Sequence, residues 1–220
     1  MGLRDAIAVL LGGNLGEIAF TVGTGLLLPG GSPLNARQLL LVNLLTDMLP
    51  SMALAIRPPT SATPDTLLHE GPDASLGASL TRDVAVRAAL TAGAGAGAWL
   101  GGRLTGITPG RAGTVALVGL VGAQLGQTLV LGWRSPLVVA ASLVSAAALA
   151  GVVQTPGISQ FFGCQPLGPL GWSIGLGAAT AASIGAPLVS RLVAPAPLPH
   201  SPAIPARLPD VSARAPVHAT

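Results

Sequence analysis

The chain has 220 residues, half of them hydrophobic, and only 9% are charged, against roughly 25% in an ordinary soluble domain. Its net charge of +3 comes wholly from arginine, and with 3% aromatics and no tyrosine there is no aromatic–basic platform for nucleic acid. What remains is a membrane protein: a span needs about 20 mostly apolar residues, so this length holds at most about six or seven. Cys164 is the single cysteine and excludes an internal disulfide. His69, His200 and His218 fall in polar or Pro-rich stretches and read as solvated rather than metal-bound.

In chain order, the pattern predicts six transmembrane helices in an all-α fold. The first covers 6–28 and ends at Pro29-Gly30-Gly31, a turn cluster. It is too long and too glycine-interrupted for a cleaved leader. The second, 36–56, closes at Pro58-Pro59 and is predicted to be broken near Asp47–Pro50. Residues 57–83 read as a polar loop that includes Arg82 and Asp83. The third span, 84–105, is rich in glycine and alanine. The fourth, 112–131, carries Gln124 and Gln127. The fifth is 136–154 and the sixth 169–192. Gly93/Gly97/Gly101, Gly122/Gly126 and Gly171/Gly175 have the spacing of close small-residue helix packing. Residues 1–193 therefore form the membrane domain. Residues 194–220, with seven prolines, read as a disordered tail.

An even number of spans puts both termini on one side. Arginines 4, 57, 82, 87, 134, 191, 207 and 214 then fall on that side and 37, 103 and 111 opposite. The positive-inside rule places both termini in the cytoplasm, with the plasma membrane as the expected location.

The polar residues inside the first two spans carry the chemistry. Residues three and four apart share a helix face, so Asn14 and Glu17 point one way on the first span. Asn43, Thr46 and Asp47 do the same on the second. A carboxylate at membrane depth is costly and marks an ion path by default. A lone Asn or Thr there commonly bonds a neighbouring helix, but neither span's interior holds an Arg or Lys to pair with Glu17 and Asp47. All five residues bring oxygen, which argues against copper or zinc and for Ca²⁺, Mg²⁺, Mn²⁺ or a monovalent ion. Pro50 lacks the N–H that would bond the Thr46 carbonyl, and the freed oxygen is a further candidate ligand. Gln124 and Gln127 read equally well as interhelical glue.

Asn14-Leu15-Gly16-Glu17, then Gln38-Leu39-Leu40-Leu41-Val42-Asn43-Leu44-Leu45-Thr46-Asp47-Met48-Leu49-Pro50, then Pro58-Pro59, resembles the fifth and sixth membrane helices of P-type cation-transporting ATPases. The closest likeness is to the calcium-pump-like branch, whose pattern is N-x-x-E, then Q-L-L-W-x-N-L-x-T-D-G-L-P, then paired prolines. Ala123-Gln124-Leu125 is similar to that family's eighth helix. The resemblance implies that Asn14, Glu17, Asn43, Thr46 and Asp47 coordinate the transported cation, with Gln124 as a weaker candidate. Leu41 stands where a tryptophan is common. Met48 stands where glycine is usual and takes freedom from the break.

The chain carries no D-K-T-G-T, T-G-E or G-D-G-x-N-D motif and no Gly-rich phosphate loop. No ATPase activity is expected of it alone, and no cofactor. ATP and Mg²⁺ would enter only through the missing domains. Its expected partners are the bilayer, the cation and the N-terminal portion of such a pump. A self-contained channel or secondary transporter, and an inactive remnant or membrane scaffold, are the competing expectations.

Overall fold

A computed structural model describes residues 2–28, 31–56 and 77–192, and among these every regular element is helical. They are α1 (Gly2–Leu27), α2 (Ala36–Asn43), a π-helical segment (Leu44–Met48), α3 (Leu49–Ala55), α4 (Ala78–Leu104), α5 (Pro109–Gly132), α6 (Pro136–Gln154), α7 (Ile158–Phe162) and α8 (Pro169–Leu192). With α2, the π segment and α3 taken as one rod, six long helical segments result, as the hydropathy pattern predicts. The tail at 194–220, most of the 57–83 loop, His69, His200 and His218 lie outside the described residues.

Proline and small polar residues set the starts. Pro109, Pro136 and Pro169 each occupy a first helical position, where a missing N–H costs nothing. Asn35 and Gln38 form a reciprocal capping box at the start of α2, which satisfies two donors that no turn supplies. α4 begins earlier than the pattern suggests, so Arg82 and Asp83 belong to its first turns rather than to a loop. Arg4 at the start of α1 binds Asp83 at 2.9 Å, and this pairing lets the helix extend through the charged residues.

α5 is the central post. Its Val115, Ala116, Leu117, Val118, Leu120 and Val121 are fully buried, within a core that also takes in Phe20, Leu41, Val42, Val153 and Leu167. α4 packs against α1, α5 and α8. Five of the long helical segments are apolar and long enough to cross a membrane. The exception is α4, which exchanges apolar bulk for closeness. Gly95 faces Leu120 and Phe20, and Gly119 lies under the Ala94 carbonyl, where an added Cβ would meet the oxygen at 2.9 Å. Large apolar side chains such as Leu15, Ile18, Met52, Leu143 and Val144 point outward, the pattern of a lipid-facing surface.

The small-residue spacings divide. Gly122 and Gly175 meet Ala179 and Val118 across the α5–α8 contact, as the spacing predicts. Gly93 and Gly97 instead have open space where a Cβ would stand. Alanines 94 and 98 face α5 in their place, because the contacting face of α4 is rotated from the one the spacing marks.

The irregularity of the second rod also takes a form of its own. The chain does not unwind at Asp47–Pro50 but widens into a π turn over Leu44–Met48, with Pro50 in the first turn of the α-helix that follows. A π segment is how a helix absorbs a residue it cannot place in the regular ladder. Methionine at position 48, a good helix former, keeps the segment helical where glycine would release it.

One connection unforeseen in the sequence folds into α7. Arg37 Nη1 donates to the Phe161 carbonyl at 2.7 Å, Asn35 Nδ2 to the Phe162 carbonyl at 3.1 Å and Gln38 Nε2 to the Gly163 carbonyl at 3.2 Å. The first turn of α2 thereby takes up the carbonyls at the end of α7, which no helical partner would satisfy. Cys164, free and buried, sits beside this junction, and burial pushes its thiol above the usual cysteine range although the Gln38 amide opposes the shift.

Candidate cation site

α1, the π segment and α5 bring five of the six predicted residues together. Glu17 and Gln124 are both buried, at 5% and 3% exposure, and Gln124 Nε2 donates to Glu17 Oε1 at 2.7 Å. On the π segment, Thr46 Oγ1 donates to Asp47 Oδ1 at 3.2 Å and lies 3.0 Å from the Val42 carbonyl. Asn14 links the two groups, because its side chain lies near enough to Asp47 to act on that carboxylate. Glu17 and Asp47 are near enough to interact electrostatically. Neither carboxylate is paired with an arginine among the described residues; the ion pair there is Arg4–Asp83.

The Asn14 amide oxygen is buried and has no hydrogen-bond partner. Buried acceptors are nearly always satisfied, so an orphan oxygen beside two carboxylates without arginine partners is an arrangement with room for a positive charge to satisfy it. Among the described residues no three His, Cys, Asp or Glu side chains cluster as a metal site. The donor set is therefore two carboxylates with neutral oxygens around them, a chemistry suited to hard cations.

Asn43 is not brought into this group; its side chain is exposed. The α-helical spacing that put it on one face with Thr46 and Asp47 fails because the π turn begins at the next residue and carries more residues per turn. The Thr46 carbonyl also differs from expectation, since the Ser51 hydroxyl donates to it at 3.0 Å. Ser51 lies one residue beyond Pro50 and supplies the proton that proline lacks, a role the sequence signals only by that adjacency.

Gln127 acts as glue. It accepts from Arg87 Nη1 and donates to Thr91 Oγ1, both at 3.3 Å, and so ties α5 to α4. Asp83 and Asp5 are near enough to act on the Arg87 charge. Arg87 falls inside the span expected to begin at 84, and the aspartates that accompany it explain how a guanidinium is tolerated there.

The profile of the family described as "Cation transporting ATPase, C-terminus" matches residues 31–191. The chain belongs to that family. It is the C-terminal membrane domain of P-type cation-transporting ATPases, as the Asn14 to Pro59 motifs suggest, and the match runs on through α8. Similar curated proteins are a probable cation-transporting ATPase I of Mycobacterium leprae (strain TN), 45% identical over 84% of this chain and 13% of the relative. Another of that name, from Mycobacterium tuberculosis (strain CDC 1551 / Oshkosh), is 44% identical over 87% of this chain and 13% of its own length. The chain thus spans about an eighth of the curated relatives it matches.

Proposed function

We propose that this chain forms one wall of the cation-binding site of a calcium-pump-like P-type ATPase. Asn14, Glu17, Thr46 and Asp47 are its ligand residues, and Gln124 acts on Glu17. The observation that carries this reading is the buried, unpartnered Asn14 oxygen beside two carboxylates that no arginine neutralises among the described residues. A purely structural cluster would satisfy that oxygen or remove it.

Two carboxylates balance one divalent ion, which favours Ca²⁺, Mn²⁺ or Mg²⁺ over a monovalent one. In a complete pump, phosphorylation on a cytosolic domain carried by the N-terminal portion would open this wall to alternate sides of the membrane. The arrangement has both termini in the cytoplasm and the chain in the plasma membrane. The π turn supports this role, because irregular helix at membrane depth is found where it lines a cavity.

The test places Glu17→Gln and Asp47→Asn in an otherwise complete pump and measures ATP-driven uptake of radioactive Ca²⁺ and Mn²⁺ into inverted vesicles. Loss of uptake in both variants, with normal membrane insertion, is the expected result. Uptake unchanged in both would overturn the assignment.

A further inference from the structure

We propose that Gly13 and Gln124 form a positioning pair for Glu17, an inference that rests on the cation-site reading above. α1 meets α5 with Gly13 against the Gln124 carboxamide. A Cβ built on Gly13 would run into Gln124 Oε1, with Cδ of the same side chain next at 3.0 Å. The missing Cβ is what lets the amide lie against the α1 backbone. From that seat Nε2 reaches Glu17 Oε1 at 2.7 Å, one helical turn further along α1.

The amide turns its nitrogen to Glu17 Oε1 and its oxygen to Gly13. Gln124 therefore meets the site with a donor, and a donor cannot ligate a cation. Its effect on the ion passes through Glu17: it holds one carboxylate oxygen and fixes how the other is presented. Ligating carboxylates are oriented by such outer partners, and removing one typically costs about 10–100-fold in metal affinity.

Gly13 differs from the glycines on either side of it. A Cβ at Gly12 would strike Arg87 Cβ at 2.6 Å, and one at Gly16 would meet the Ala88 carbonyl oxygen at 2.9 Å. Those obstacles are fixed to α4 close to its backbone, so substitution there pushes helices apart. The obstacle at Gly13 is the far end of a flexible side chain. Gly13→Ala should leave the bundle assembled and misplace only the amide.

The experiment measures Mn²⁺ binding, by the loss of its free-ion paramagnetic resonance signal, on the full chain in the membranes that carry it. Gly13→Ala and Gln124→Ala should each weaken binding about 10–100-fold. The double variant should be no weaker than Gln124→Ala alone, because both changes break one contact. The infrared band of the Glu17 carboxylate, identified by its disappearance in Glu17→Gln, should move alike in both single variants. Unchanged binding in Gly13→Ala, losses that multiply in the double variant, or a Glu17 band that stays in place would each overturn the pairing. Should Gly13→Ala fail to accumulate, accumulation restored by adding Gln124→Ala supports the pairing, and failure to restore it refutes it. Glu17→Gln with Mn²⁺ binding intact would remove the cation-site reading instead, and the infrared band would still decide whether Gly13 positions Gln124.

Discussion

Replacing Asn14 by alanine separates a functional origin of the buried cluster from a structural one. The substitution removes an amide that acts on the neighbouring Asp47 carboxylate; a polar partner of a charged group contributes at most about 1.5–3 kcal/mol. It also removes the buried Asn14 Oδ1 that has no partner, and an unsatisfied buried acceptor costs about 1–3 kcal/mol. The two terms offset, so the unfolding free energy should change by no more than about 1 kcal/mol. Cation binding loses a ligand outright and should weaken at least about 10-fold, equivalent to about 1.4 kcal/mol. Denaturant unfolding in mixed micelles reads the first quantity and Mn²⁺ titration the second. A marked loss of stability with affinity unchanged would refute the reasoning, since Asn14 would then be a structural link between α1 and the π segment.

Other predictions follow from the packing. Gly16→Ala brings a Cβ to 2.7 Å from Thr91 Cβ, and overpacking of this kind costs about 1–3 kcal/mol; a midpoint of detergent unfolding equal to that of the parent would sink it. Gln127→Leu strips Arg87 Nη1 and Thr91 of a shared partner and should destabilise by about 1–3 kcal/mol, with Gln127→Glu losing less. Because the folded state holds the Cys164 proton more tightly, maleimide labelling in native membranes should be slow at neutral pH. It should accelerate only above the ordinary thiol value of about 8.5, and stability should fall as pH rises through that range. Labelling as fast as that of a free thiol at neutral pH contradicts both the burial and the shift.

Much of the fold was legible because membrane helices announce themselves through continuous apolarity. Pro109, Pro136 and Pro169 mark starts by local stereochemistry that no tertiary contact needs to correct. Glu17 and Asp47 stood out for a comparable reason, since charge inside an apolar run is conspicuous whatever surrounds it. The face of α4 was not legible, as a helix built of Gly and Ala has small residues on every side. Which of them touch α5 depends on how Leu120 and Phe20 fill the space around Gly95. The short helix α7 was also missed. It is held by side chains of α2 more than a hundred residues away.

The sequence by itself determined that this is an all-α membrane domain of the cation-transporting ATPase family, with two carboxylates on its first two rods. Hydropathy, proline and motif spacing are local properties, and they survive any packing. Only the tertiary structure decided which oxygens meet. The π turn at Leu44–Met48 sends Asn43 outward while Thr46 and Asp47 stay with Asn14. Gly13 admits Gln124 to Glu17 from a helix more than a hundred residues away. Both depend on helix register and interhelical distance, which arise from packing and leave no mark in the order of residues.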